Sequence, residues 1–342
     1  SIAIAVDAHG RDRQHGPTLR WGQFNLRSIT NIRNNIMIQM TTLILASKAD
    51  PASLTLYRAM LELHAWDISP SPLGKLMIST EIDAHLLLID EIHVKSDNIG
   101  KMHMNSTNKN IDDIIVLSKH VSSSEVPAMT IHPIGVPTGQ EIGENGKSGG
   151  VYGTLVPPNP RLASFLRAIV RKGALDPSLS KFDLTLEATH HGPLMSLPTM
   201  YVEIGSSEKE WRDSALASIW ADIIIDNLSN EAINESKRWI LCIGGGHYAP
   251  RHRDILVKSN ELVGHILPSY SLPNIGVEAD HQKFEKVLEA AILSMRAARP
   301  EAQVVAHLDR KSMKSKLRTY ISNKLGSFDV PVVRGKQLLA NE

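Results

Sequence analysis

The chain has 342 residues, 42% of them hydrophobic and 21% charged, with 37 Lys and Arg against 36 Asp and Glu. That length and apolar content suit a globular protein with a sizeable core, and the near balance of charge excludes a polycation, so a nucleic-acid partner has to be met by a local patch. One cysteine, Cys242, excludes an internal disulfide framework and points to a reducing compartment, and no apolar run approaches the ~20 residues that span a bilayer. A soluble, cytoplasmic protein is the expectation.

Residues 1–39 differ from the rest. Arg11, Arg13, Arg20, Arg27 and Arg33 are accompanied by only Asp7 and Asp12, and an Arg-rich, acid-poor leader resembles an organelle transit peptide. An untranslated extension fits as well, because Met37 and Met40 both precede the first regular strand. From Thr41 the pattern becomes regular. A β-type run at 41–46 is followed by Asp50-Pro51, an N-cap and N1 proline for a helix over 52–63. Apolar runs at 86–89 and 114–117 read as buried strands, with a polar loop over 95–110 between them in which His93 and His103 are expected to be solvated. A strand at 128–132 precedes a Gly-rich loop over 139–153, and 161–171 has helical periodicity with Leu162, Phe165, Leu166 and Ile169 on one face.

Strands at 182–187 and 199–204 come next. Ser207 and Glu210 then form a capping box for a helix to about 227, with Ala215, Ile219, Asp222 and Ile223 as its inner face. A polar connection over 227–237 leads to a strand at 241–243 and three glycines. A strand at 261–267, an amphipathic helix over 282–299, a strand at 303–307 and a basic helix over 311–324 complete the series. Strands alternating with helices over some 300 residues are the pattern of an α/β sandwich with a mostly parallel sheet, one domain from about residue 40 to 342.

Open α/β sheets bind ligands beyond the carboxyl ends of their strands. Polar residues gather at those ends: His120, His132, the cluster Glu187, His190 and His191, then Glu203, His247, and His307 with Asp309. Imidazole and carboxylate suit a zinc ion, although no known zinc spacing is present. A histidine acting as general base, with Gly244, Gly245, Gly246 and Arg251 stabilising an oxyanion, is the alternative. Cys242, inside an apolar strand, reads as a buried inert thiol. Lys311, Lys314 and Arg318 fall at helical spacing beside His307, an arrangement that suits the phosphates of a polyanionic substrate.

At these residues the chain resembles a known family. EATHHGP (187–193), PTMYVEIGSSEKEW (198–211), GGGHYAPRH (244–252), VGHILPSYSLP (263–273) and AHLDRKS (306–312) are similar to the archaeal and plant D-aminoacyl-tRNA deacylases, as are LILASKADPAS (43–53), LSKH (117–120) and TIHPIGV (130–136). The resemblance implies a three-layer α/β/α fold related to peptidyl-tRNA hydrolase and nucleoside phosphorylases. It also implies a monomer that uses two zinc ions to hydrolyse the ester between a D-amino acid, or mischarged glycine, and tRNA. In plants it implies a role in tolerance of ethanol-derived aldehyde. Read together with the strand-end clusters, His191, His247, Glu187 and Arg251 are the expected catalytic groups, and His190, His191, His247, His307 and Asp309 the expected metal ligands. Gly244, Gly245, Gly246, Tyr248, His252, Lys311, Lys314 and Arg318 are the expected substrate contacts. A peptidyl-tRNA hydrolase or phosphorylase-like enzyme, or a non-catalytic tRNA-binding protein, stays open beside it.

Overall fold

The computed structural model describes residues 40–138, 148–229 and 237–339. The leader at 1–39, the loop at 139–153 up to residue 147, and the connection at 230–236 lie outside the described residues.

The first strand, β1 (Thr42–Ser47), is buried along its whole length. It runs into α1 (Pro51–Leu63), where the Asp50 carboxylate accepts the Ser53 N–H at 2.9 Å as the sequence predicts. Such a cap contributes about 1 kcal/mol. Two strands that the sequence reading misses follow, β2 (Trp66–Ser69) and β3 (Lys75–Ser79), as an antiparallel edge leading to β4 (Ala84–Ile89). Next come α2 (Ile99–Thr107), β5 (Asp113–Lys119), β6 (Ala128–Pro133), α3 (Leu162–Leu175), β7 (Asp183–Leu186) and β8 (Thr199–Gly205). These strands form one eight-stranded sheet in the order β2-β3-β4-β1-β5-β8-β6-β7. Its centre is parallel, and β6 meets β8 antiparallel.

Side chains alternate across that sheet, as strand geometry requires. Ile44, Ala46, Leu86, Leu88, Ile115, Leu117 and Val202 face α1, α3 and a later helix over Ser214–Ser229. Leu43, Leu45, Leu87, Ile114, Val116 and Tyr201 face the side of Ile99 in α2. Helices thus flank a mostly parallel sheet, the expected α/β arrangement. The Leu162, Phe165, Leu166 and Ile169 face of α3 is buried as its periodicity predicts.

After β8 come α4 (Glu208–Trp211), α5 (Ser214–Ser229), β9 (Arg238–Ile243), α6 (Pro250–Val257), β10 (Leu262–Leu267), α7 (Glu278–Ala298), β11 (Gln303–Leu308), α8 (Ser315–Ser327), β12 (Val332–Val333) and α9 (Gly335–Leu338). Four of these strands make a second, wholly parallel sheet, β10-β9-β11-β12. Ile240, Cys242, Val263, Ile266 and Val305 join the same core that lies against the first sheet. Trp239, Leu241, Ile243, Val304 and Ala306 pack on the other side with α7 and α8.

Four expectations need correction. Residues 95–110 are not simply a loop: α2 lies within them, and His93 and His103 are 1% and 0% exposed. The polar residues that suggested solvent occupy one face, while Ile99, Gly100 and His103 bury the other. A Cβ on Gly100 would come within 2.7 Å of Ile114 Cδ1, so the helix sits directly on the sheet. The helix after the capping box is interrupted, because the Asp213 carboxylate accepts the N–H groups of Ala215 and Leu216 and starts α5 anew. Its buried face is Leu216, Ala217, Trp220, Ala221, Ile223 and Ile224, so of the predicted face Ile223 is buried, Ile219 is half-buried, and Ala215 and Asp222 are exposed. Finally, the basic helix starts at Ser315, so Lys311 and Lys314 precede it and share no helical face with Arg318.

Candidate active site

The residues leaving β7 link the two sheets. Ala188 N–H donates to His247 O at 2.7 Å, Thr189 N–H donates to Ile266 O at 2.9 Å, and Ile266 N–H returns a bond to the Thr189 hydroxyl at 2.9 Å. Glu187, His190 and His191 on the first sheet are thereby held against the turn after β9 that carries His247. Gly244 and Gly245 take φ of 92° and 90° in that turn, which glycine adopts without strain. A Cβ on Gly244 would lie 2.6 Å from Ser312 Oγ.

At the centre stands Glu187, 1% exposed. Its Oε2 is 2.8 Å from His247 Nε2 and 3.7 Å from His190 Nε2, and its Oε1 is 3.0 Å from His120 Nδ1. His120, after β5, is also 3.4 Å from Glu203 Oε2, and Glu203 Oε1 is 3.6 Å from His132 Nε2. Two carboxylates and four imidazoles therefore form one buried network. Burial by itself would raise the Glu187 carboxyl, but hydrogen bonds with His120 and His247 outweigh it and hold the group well below the usual carboxylate range. Burial likewise opposes the charged form of His120, and the bonds to Glu187 and Glu203 override it and raise its pKa. The network holds a resident negative charge beneath His247, whose side chain remains 26% exposed.

Three rings share one arrangement. His132 Nδ1 lies 3.1 Å from Pro133 O, His190 Nδ1 2.8 Å from Ala188 O, and His191 Nδ1 2.6 Å from Gly192 O. A carbonyl oxygen only accepts, so each Nδ1 carries a proton, and the neutral rings of His190 and His191 present a lone pair at Nε2. Burial opposes the charged form of His132, but Glu203, 3.6 Å from its Nε2, overrides it and raises its pKa. Burial is the first cause that lowers His190 and His191, the latter to about 3, so both stay neutral. The ligand atoms of His132, His190 and His191 lie within 4.8 Å of one another, as do those of Glu187, His190 and His247, and those of His120, Glu187 and Glu203. His132 Nε2 is buried with no hydrogen-bond partner. A backbone carbonyl fixing the far nitrogen of each ring is the usual outer support of a metal-ligating histidine. These groups fit a divalent metal.

Other predicted residues lie elsewhere. Tyr248 turns inward, its hydroxyl 3.1 Å from His120 Nε2. Arg251 Nε pairs with Asp309 Oδ1 at 3.0 Å, and neither belongs to the three ligand groups. His252 and His307 are buried against each other, Nδ1 to Nδ1 at 3.0 Å, also outside those groups. Gly244 N–H donates to Leu267 O, and Gly245 N–H is shared between the hydroxyls of Ser269 and Ser312, so among the described residues these two N–H groups are engaged within the protein. Arg318 donates to Met313 O at 2.7 Å and is half-buried, while Lys311 and Lys314 are exposed.

His120, His132 and Glu203 are visible in the sequence only as strand-end polar residues, and the structure makes them part of the network. Three participants carried no signal. Tyr270 approaches His247 Nδ1 with its hydroxyl at 2.9 Å. Tyr201 stacks on His132 with centroids 5.1 Å apart. His93 bridges the Tyr201 hydroxyl at 3.1 Å and Asp50 Oδ2 at 3.3 Å.

Comparison with known proteins bears on this site. Residues 107–333 match the family model described as D-aminoacyl-tRNA deacylase. A D-aminoacyl-tRNA deacylase of Arabidopsis thaliana is 33% identical over 86% of this chain and 98% of its own. One from Methanosarcina mazei is 31% identical over 87% of this chain and 93% of its own. The crystal structure of a conserved protein of unknown function, 23% identical, superposes with a TM-score of 0.72 over 88% of this chain and 98% of its own, and so shares the fold. With the family model covering more than half of the chain, including Glu187 and the histidines and glutamate around it, the chain belongs to the D-aminoacyl-tRNA deacylase family.

Proposed function

We propose that this protein hydrolyses the ester joining a D-amino acid to the 3′ end of tRNA, with glycine mischarged on tRNA as a further substrate. The observation that carries the reading is the Glu187–His247 pair, a buried carboxylate 2.8 Å behind a half-exposed imidazole. Glu187 takes the proton side of His247 at Nε2, which leaves the Nδ1 lone pair facing outward, where the Tyr270 hydroxyl sits at 2.9 Å. A water that displaces Tyr270 there gives its proton to Nδ1 as it attacks the ester carbonyl, and the imidazolium returns that proton to the ribose oxygen as the acyl C–O bond breaks, general acid–base catalysis of a familiar type. The Gly246 N–H would receive the developing oxyanion.

With His247 acting as the base, His132, His190 and His191 are the groups that would hold zinc. With Glu187 and His247 as ligands instead, two ions on the family's pattern, zinc rather than the imidazole would activate the water. Zinc bound there supplies Lewis-acid polarisation and lowers the pKa of water to about 7. Arg251, Lys311, Lys314 and Arg318 take phosphates of the acceptor end. The same reading makes residues 40–342 one catalytic domain acting as a cytoplasmic monomer, and in plants extends to aldehyde tolerance. No helix among the described residues is long and apolar enough to cross a membrane.

The test is to incubate the full chain with D-Tyr-tRNA and with L-Tyr-tRNA, each with and without a chelator. Rapid loss of the D-ester alone, slowed by the chelator, is expected. If neither ester is cleaved even after zinc is added, the reading is wrong.

A further inference from the structure

A cavity of about 430 Å³ opens between β11, β12 and α8, within the roughly 300–1,000 Å³ of small-ligand sites. Its wall carries Arg310, Arg318, Arg334 and His307, with Ser315 and Asn323, and no Asp or Glu among the described residues lines it. Arg318 is fixed in place, donating to Met313 O at 2.7 Å and Arg310 O at 3.2 Å. Three guanidinium groups that no carboxylate in the wall balances are the side chains that best match phosphate, which their planar donor pairs grip two oxygens at a time.

His307 adds a different requirement. It is 8% exposed, and its protonation is set from behind. His252 Nε2 donates to Gly244 O at 3.2 Å, and a carbonyl only accepts, so on the neutral ring its Nδ1 is a bare acceptor. His307 Nδ1, 3.0 Å away, must therefore carry the proton, and its Nε2 presents a lone pair. Among the described residues none hydrogen-bonds that Nε2. It lies at the cavity wall, 3.7 Å from where a Cβ on Gly335 would stand. Open to the cavity, that nitrogen can accept a hydrogen bond from a ligand, and a bare phosphate dianion has no proton to donate to it. A nucleotide brings both parts, a phosphate for the arginines and a ribose hydroxyl or base amino group for the imidazole.

We propose that this cavity binds a ribonucleotide, its phosphate held by Arg310, Arg318 and Arg334 and a hydroxyl or amino donor held by His307 Nε2. Its place gives the site a use. β11 lies beside β9 with His307 opposite Cys242 and Leu308 opposite Ile243, one strand from the turn that carries His247. A nucleotide seated there belongs either to the acceptor strand of the RNA whose ester is cleaved, which rests on the proposed function, or to a free mononucleotide.

Calorimetric titration of the full chain with AMP, with inorganic phosphate and with adenosine tests the site without any ester cleavage. AMP should bind at least about tenfold more tightly than either part alone, as two charge-assisted contacts require. The double variant Arg310→Ala/Arg334→Ala, changed at two exposed positions, should weaken AMP at least tenfold while its circular dichroism spectrum stays that of the parent. Absent AMP binding, phosphate binding as tight as AMP, or undiminished binding by the double variant would each overturn the proposal. AMP that competes with D-Tyr-tRNA identifies the occupant as a nucleotide of the RNA, and AMP that binds without competing identifies a free mononucleotide. Loss of the deacylase reading would leave the titration standing.

Discussion

Replacing Glu187 with Gln keeps the volume and removes the charge on which the network depends. The wild-type carboxylate faces His247 Nε2 at 2.8 Å and His120 Nδ1 at 3.0 Å. A charge-assisted hydrogen bond contributes about 1.5–3 kcal/mol net. A Gln side chain directs its NH₂ at one ring, so one of the two contacts becomes donor against donor. If His247 loses its partner, about 1.5–3 kcal/mol disappears from the transition state, roughly a ten- to hundredfold fall in the cleavage rate. A second loss follows from His120, which keeps only Glu203 as counter-charge. Breaking one partner of a buried ion pair costs on the order of 3–5 kcal/mol, and because Glu203 remains, the lower end applies to stability. Single-turnover cleavage of D-Tyr-tRNA with enzyme in excess measures the first effect, and urea unfolding followed by circular dichroism measures the second. In a His247→Ala background the same Gln substitution should add little to the rate loss, because the two side chains act as one unit. A folded Glu187→Gln protein that cleaves within about threefold of wild type would refute the reasoning, since His247 would then need no carboxylate behind it.

Other expectations can be checked alongside. His132→Ala removes one of the three converging ring nitrogens and should lower the zinc retained on purification, read by elemental analysis; undiminished zinc would exclude His132 as a ligand. The buried pair His85 Nδ1 and His103 Nε2, 2.8 Å apart, should make the fold acid-sensitive. Burial, then the neighbouring His85, lowers His103 to about 4, while the unfolded chain takes up its proton near 6.5. The contribution is thus complete above about pH 6.5, is lost as pH falls toward 4 and is constant below, ~3 kcal/mol in all. Urea midpoints across that range should show the slope, and His103→Gln should flatten it. Gly205→Ala should damage both fold and site, because the added Cβ would lie 2.5 Å from His120 O and 2.6 Å from His120 Cβ. A loss of about 2 kcal/mol or more by urea unfolding, with slower cleavage, is expected; a neutral substitution would mean that the β8 exit yields easily.

Much of the scaffold is legible because burial leaves a local imprint. Ile44, Ile115 and Val202 lie in short apolar runs that only a strand buried on both faces explains, and Asp50-Pro51 marks a helix start through groups three residues apart. The failures have a different origin. α2 is polar by composition, and only its seat on Ile114 and Leu197 makes His103 an inward-facing residue. β2 and β3 are an edge pair whose half-exposed side chains give little alternation to read. At the site, Glu187, His190, His191 and His247 stood out as local clusters, whereas Tyr201, Tyr270, Asp50 and His93 enter through contacts as long as His93 to Tyr201, 108 residues apart in the chain. The pairing of His252 with His307, and of Arg251 with Asp309, has the same long-range character. Residue type placed these groups near a strand end; only the docking of the strands decides which neighbour each one meets.

The bridge of Ala188 to His247 and of Thr189 to Ile266 has a consequence for how the molecule fails. Base and carboxylate belong to different sheets, so their 2.8 Å separation measures how well the two layers are seated on each other. A slippage of an ångström at that seam would leave every helix and strand intact and still part His247 from Glu187. Activity should therefore vanish at a lower denaturant concentration than helical signal, making turnover a gauge of inter-sheet seating rather than of folding as a whole.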